Sequence, residues 1–198
     1  MAQAKKRKKF FNVEIPLIKR ETQAIAYVLE DLNDRYLKYD LTRMLRGKGA
    51  ILQAKIKIEN DKAIAHPTQI KLLPYYLKRM VRKGTNYVED SFSTETKDAL
   101  VRIKPFLITR RKVSRAVRKA LRDKAREELI KDLKTKTTEE IFEEILRNNL
   151  QKPLSLKLKK IYPLSLCEIR VLKVEKELEK PKKEKKKPKE AKETKKKE

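Results

Sequence analysis

The sequence predicts an α+β fold: a largely antiparallel, β-barrel-like sheet with a long basic helix and further helices in the carboxyl-terminal half. Three observations predict it. Before residue 110, several short runs alternate apolar and polar residues, which is the period of strands. From Ser114 to Lys131 the chain has no Pro or Gly and is rich in Ala, Leu, Arg, Lys and Glu, a helical composition. After Tyr162-Pro163 a strand-like run returns.

The elements follow in order. Residues 12–18 read as an edge strand, with Val13, Ile15 and Leu17 alternating and Pro16 confined to an edge. Residues 24–29 and 35–41 read as two further strands. Residues 51–58 set Ala54, Ile56 and Ile58 against Lys55 and Lys57, a strand with one polar face. Asn60-Asp61 supplies a turn, and residues 63–72 return as its partner. Pro74 suits the first turn of a short helix over 75–83, with Gly84 as its stop. Residues 85–94 and 99–109 form a hairpin around Glu95-Thr96-Lys97-Asp98, with β-branched and aromatic residues in both arms. The long helix covers 114–131. Thr137 and Glu140 have capping-box spacing, and Ile141, Ile145 and Leu146 continue as a helical stripe. A short helix over 154–161 and a final strand over 164–174 complete the body.

Composition bounds the function. The 198 residues carry 54 Lys and Arg against 28 Asp and Glu, a formal charge of +26. That excess is beyond what solubility requires and implies a polyanionic partner, nucleic acid before an anionic membrane. Three Gly exclude collagen-like and Gly-rich architectures. Gly47-Lys48-Gly49 lacks the following Ser/Thr of a phosphate-binding loop. One Cys (Cys167) and one His (His66) exclude disulfides, cysteine zinc sites and multi-histidine sites. No uncharged run approaches the roughly 18 residues that span a bilayer. The chain therefore reads as cytoplasmic, without a membrane, a cofactor or a small-molecule substrate.

The charge is unevenly placed. Residues 175–198 hold 12 Lys and 7 Glu with almost nothing apolar, the composition of a disordered tail. Residues 1–10 form a basic arm through Lys5, Lys6, Arg7, Lys8 and Lys9. Residues 11–174 read as one domain carrying most of the excess. Within it, residues 102–126 hold eleven bases and one acid, Asp123. At about 100° per residue, Arg111, Arg115, Arg118, Arg122 and Arg126 fall within a stripe roughly 80° wide. Val113, Ala116, Val117, Ala120 and Leu121 lie opposite and are expected to pack on the core. Arg110, Lys112 and Lys119 extend that basic surface, and Arg suits bidentate contact with phosphate. Lys78, Arg79, Arg82 and Lys83 form a second cluster beside Tyr75 and Tyr76. Two acidic stretches contrast: residues 21–40, and residues 137–150 with Glu139, Glu140, Glu143 and Glu144. The helix dipole accounts for the early-helix Glu residues better than acid–base catalysis does. His66 and Cys167 read as structural. No nucleophile, base or metal constellation is present, so no enzyme activity is expected.

Four blocks carry a family resemblance. "VRIKPFLITRRKVSRAVRKALRDKAREEL", "KRMVRKGTNYVEDSFSTETKDALVRIKP", "KKIYPLSLCEIRVLKVE" and "YDLTRML" stand in the order and spacing of the archaeal and eukaryotic small-subunit ribosomal protein family called S-three-A-e, or S-one-e. The chain resembles this family over roughly residues 10–175. It departs from it at Phe10-Phe11, where the family carries Trp-Tyr. The resemblance implies a mixed α/β fold around a β-barrel-like core and assembly into the small ribosomal subunit. Small-subunit rRNA and neighbouring small-subunit proteins would be the partners. The family's basic helix falls by position on residues 110–126, and its short basic helix on residues 78–83. The alternatives are an extra-ribosomal RNA chaperone or DNA-binding protein, a nuclease or RNA-modifying enzyme, and a membrane-surface protein. The mostly Ala and Val face opposite the Arg stripe argues against the last.

Overall fold

A computed structural model describes residues 7–59 and 62–177. Strands β1 (Lys9–Ile15) and β2 (Arg20–Ala26) form an antiparallel hairpin. β3 (Tyr36–Asp40) pairs with β4 (Ala50–Glu59), and β4 with β5 (Lys62–Leu72). The start of β5 takes β1 in parallel, through Val13↔Ala63 and Glu14↔Ile64. Its end, Gln69 to Lys71, takes the last strand, β9 (Leu164–Glu177). β9 pairs along the full length of β8 (Ala99–Thr109). The far edge of β8 is shared by β6 (Tyr87–Glu89) and β7 (Phe92–Glu95). These nine strands make one mostly antiparallel sheet. It is open: among the described residues no ladder joins β2 to β6 or β7, so the expected barrel-like closure is not formed.

Among the described residues, four α-helices complete the α+β fold: α1 (Pro74–Met80), α2 (Arg115–Lys134), α3 (Thr138–Arg147) and α4 (Gln151–Leu158). Alternate residues of the long strands supply the core, among them Leu52, Ala54 and Ile56 of β4, Val101 and Ile103 of β8, and Ile169 and Leu172 of β9. The helices contribute Leu121, Ala125, Leu129 and Leu133 of α2, Ile141, Phe142 and Ile145 of α3, and Leu154 and Leu158 of α4. Burying each such Leu, Ile or Phe stabilises the fold by about 1.5–3 kcal/mol.

Several elements differ from expectation for identifiable reasons. β1 begins at Lys9 rather than residue 12, because Lys9 and Phe10 pair with Ala26 and Ile25. The strand expected over 24–29 runs Arg20–Ala26, and a 3₁₀ turn over Glu30–Leu32 follows it. The Asn60-Asp61 turn lies outside the described residues. The strand expected over 85–94 is two strands. Pro105 of β8 has no N–H to donate, and β8 bulges at Lys104/Pro105. On the opposite edge of β8, pairing stops at Glu89↔Phe106 and resumes at Phe92↔Ile103, leaving Lys104 and Pro105 unpaired there. α4 starts three residues early, since Pro153 is tolerated in a first turn. β9 runs past Val174, with Lys176 and Glu177 paired to Leu100 and Ala99. Residues 178–198 of the expected tail lie outside the described residues.

Candidate nucleic-acid interface

The expected long basic helix begins later than the Arg stripe required. Ser114 is its N-cap, and its Oγ accepts from the Val117 amide at 3.4 Å. Arg110, Arg111 and Lys112 precede it in an exposed connection, so Arg111 is not part of the helical row. Two contacts shape that connection. Thr109 Oγ1 donates to the Arg111 carbonyl at 2.7 Å, and the Val113 amide donates to Asn86 Oδ1 at 2.9 Å.

The packing face of α2 also differs. Ala116 and Ala120 are exposed, and the inward row is Val117, Leu121, Ala125, Leu129 and Leu133 at four-residue spacing. This rotation carries Arg118, Arg122 and Arg126 beside the buried row rather than opposite it. Arg126 lies over the Phe92 ring of β7 at 5.4 Å. Arg118 is half-buried, and its Nε has no hydrogen-bond partner among the described residues. Arg115 and Lys119 are exposed.

The charge around the α2 amino terminus is left uncompensated. Its first turn contains no acid. Among the described residues, the side chains of Arg110, Arg111, Lys112, Arg115, Arg118, Lys119 and Arg122 form no hydrogen bond or ion pair. Farther along the helix the pattern reverses. Lys124 approaches Glu127 and Glu128 at 3.4 and 3.3 Å, and Lys157 of α4 holds Glu128 at 2.6 Å. Hydrogen bonds from Lys157 and Lys124 keep the Glu128 carboxyl below its ordinary value.

The second basic cluster is divided between a helix and a loop. Lys78 and Arg79 end α1, which stops at Met80 because Val81 is extended. Arg82 and Lys83 lie in the turn that follows, with Gly84 at φ +84°. All four are exposed, and Arg79 covers the Tyr76 ring at 5.6 Å. In the arm, Lys5 and Lys6 lie outside the described residues. Arg7, Lys8 and Lys9 are exposed, and Lys8 sits over Tyr27 at 5.5 Å.

Sequence reasoning missed a set of cations on the sheet. Cross-strand register aligns Gln69, Lys173 and Arg102 in one row and Lys71, Val171 and Lys104 in the next. These residues line a groove of about 800 Å³, together with Arg170 and with Arg122 of α2. The available signal was alternation, with Arg102 and Lys104 set between buried Val101, Ile103 and Pro105. The pairing that assembles the rows is not written in any one segment.

The remaining polar features are structural. Lys48 Nζ bridges Glu168 and Asn148, which ties the 41–49 loop to β9 and the end of α3. Burial, with the nearby Glu168 charge, pushes the Cys167 thiol up to about 12. His66 faces Glu59 at 3.5 Å. Among the described residues, no group of three or more His, Cys, Asp or Glu is arranged to hold a metal ion. No described helix is long and apolar enough to cross a membrane.

Comparison with known proteins adds the family. The model of the ribosomal S3Ae family matches residues 2–178. The chain belongs to that family. Among curated relatives, it is 31% identical over 140 residues to the small ribosomal subunit protein eS1 of Pyrobaculum arsenaticum, covering 70% of this chain and 64% of that protein. It is 28% identical over 179 residues to eS1 of Nanoarchaeum equitans, covering 86% and 90%. It is 31% identical over 147 residues to eS1 of Saccharolobus islandicus, covering 72% and 71%. The chain thus spans just under two thirds of the Pyrobaculum arsenaticum relative and most of the Nanoarchaeum one. The S3Ae match extends across every described element, from β1 through β9.

Proposed function

We propose that this chain is a structural constituent of the small ribosomal subunit, binding small-subunit rRNA without catalysing a reaction. Its partners are that rRNA and neighbouring small-subunit proteins, and its location is the ribosome in the cytoplasm. Membership of the S3Ae family supports the assignment. The observation that carries the RNA-binding mechanism is the unpaired cation cluster at the α2 amino terminus. Positive charge there opposes the helix dipole and is relieved when phosphates arrive. Arg115, Arg118, Lys119, Arg122 and Arg126 form the main contact, with Arg110, Arg111 and Lys112 on its flank. Lys78, Arg79, Arg82 and Lys83 form a second contact, and the arm from Lys5 to Lys9 a third. Binding releases counterions, while paired guanidinium forks fix the orientation of the protein on folded RNA. The long basic helix is in this reading the principal RNA element.

The test is incorporation. In a lysate sedimented at high salt, the wild-type chain runs with small subunits, and the triple variant Arg115→Glu, Arg118→Glu, Arg122→Glu stays at the top of the gradient. Wild-type protein absent from small subunits rejects the ribosomal role. Normal incorporation of the triple variant rejects the helix as the RNA face.

A further inference from the structure

We infer that the open face of the sheet binds an unpaired RNA strand, its phosphates on the β5–β9–β8 groove and one base in the adjoining apolar pocket. This deepens the RNA-binding reading above by naming a second surface and the strand state it takes.

Three observations carry it. The first is charge. Lys71, Lys104 and Lys173 project from the groove with Arg122 of α2 on its wall, and none of the four has a hydrogen bond or ion pair among the described residues. Two of the groove's three acids are already neutralised. Glu175 is held by Arg102 at 2.8 Å, and Glu89 accepts from Arg170 at 3.1 Å. The third, Asp90, accepts the Ser91 amide through Oδ1, and its buried Oδ2 has no hydrogen-bond partner among the described residues. The groove therefore offers four free cations against one unpaired carboxylate, a net attraction for an anionic chain.

The second observation is the neighbour. A pocket of about 400 Å³ adjoins the groove and shares the Arg170–Glu89 pair with it. Leu77, Val81, Tyr87 and Phe106 line it, and Lys78 stands at its rim. Tyr87 is 54% exposed, and its ring stacks on Phe106 with centroids 6.0 Å apart. An exposed aromatic face beside a cationic track is the arrangement that takes a splayed base and its backbone. A duplex keeps its bases stacked inside and cannot offer one to this pocket. The third observation is continuity: Arg122 belongs both to the groove and to the basic row of α2. A strand leaving structured RNA on the helix is thus led onto the sheet.

The test uses the purified full chain, a fluorescent 12-nucleotide uridine-rich RNA and a duplex of equal length, with affinities measured across a salt series. The groove variant is Lys71→Gln, Lys104→Gln, Lys173→Gln. The pocket variant is Tyr87→Leu, which keeps apolar volume over Phe106. Single-strand affinity is expected to fall at least tenfold in the groove variant. Losing three phosphate contacts at about 0.7 each should lower its log–log salt slope by roughly 2. The pocket variant is expected to lose about tenfold with its salt slope unchanged, since stacking carries no charge. Duplex affinity should move less than threefold in both. Equal losses for strand and duplex, or none, would overturn the proposal. So would wild-type protein that binds both RNAs alike, which would leave the pocket to a protein segment. Naked RNA is used throughout, so failure of the chain to join small subunits would bear only on the ribosomal reading.

Discussion

Helices α2 and α3 pack on the same core but treat their amino termini in opposite ways. α3 follows the electrostatics of an isolated helix. Its first turn carries Glu139 and Glu140, and a full capping box joins Thr137 and Glu140. The Glu140 carboxyl is held below its ordinary value by the Thr137 amide it accepts from. α2 opens instead with cations and no first-turn acid, and Ser114 alone caps it. What α3 balances within the chain, α2 leaves unbalanced among the described residues. Local electrostatics thus separates a helix start settled by its own residues from one that the proposed RNA contact would settle.

The comparison can be broken from several directions. Reversing charge with Arg115→Glu, Arg118→Glu, Arg122→Glu should abolish small-subunit incorporation while leaving the melting temperature unchanged or raised, because acids then face the helix dipole. A melting temperature that collapsed with binding would make the row structural. Leu129→Ala attacks the other side of α2. It empties a fully buried site, costing about 2–5 kcal/mol, and should lower the melting temperature by roughly 5–20 °C. RNA affinity measured well below that transition should hold.

Smaller effects sharpen the contrast. Thr137→Ala removes the α3 cap, worth about 1 kcal/mol, and should lower the melting temperature by roughly 2–4 °C. RNA affinity should stay as it was, whereas a loss would implicate the acidic helix in the interface. Glu128→Gln cuts the tie from α2 to Lys157 of α4 and should produce the smallest shift. Its sign follows from the lowered Glu128 value. The wild-type advantage is full above the ordinary carboxyl range and shrinks as pH falls through the depressed value. Melting both proteins between pH 7 and pH 3 should show the gap narrowing, and a gap that widened in acid would contradict the pairing.

Legibility varied with how local each signal was. The alternation of Ala54, Ile56 and Ile58, the Thr137 capping box and the strand that returns after Tyr162-Pro163 were readable because each acts within a few residues, although α4 ends at Leu158 rather than at Ile161. The split between β6 and β7 was not, since it falls opposite Lys104 and Pro105 of the partner strand, outside the segment that splits. The Arg stripe was half readable. Helical spacing placed Arg118, Arg122 and Arg126 together, but the burial of Ala125 and Leu129 turned that row toward the sheet, and Ala120 away from it. The short helix ended early at Met80, because β-branched Val81 extends before Gly84 is reached.

The sequence by itself determined the α+β class, most of the element order and the strong excess of positive charge, because periodicity and net charge are properties of the chain before it folds. Its four motif blocks also determined the family. Tertiary structure alone decided that the sheet stays open and which face of α2 turns inward. It alone gathered Lys71, Lys104, Lys173 and Arg122 around one groove. The physical reason is register. The three lysines lie far apart along the chain, and only hydrogen bonding of β5 to β9 and of β9 to β8 brings them to one surface, where packing of α2 adds Arg122.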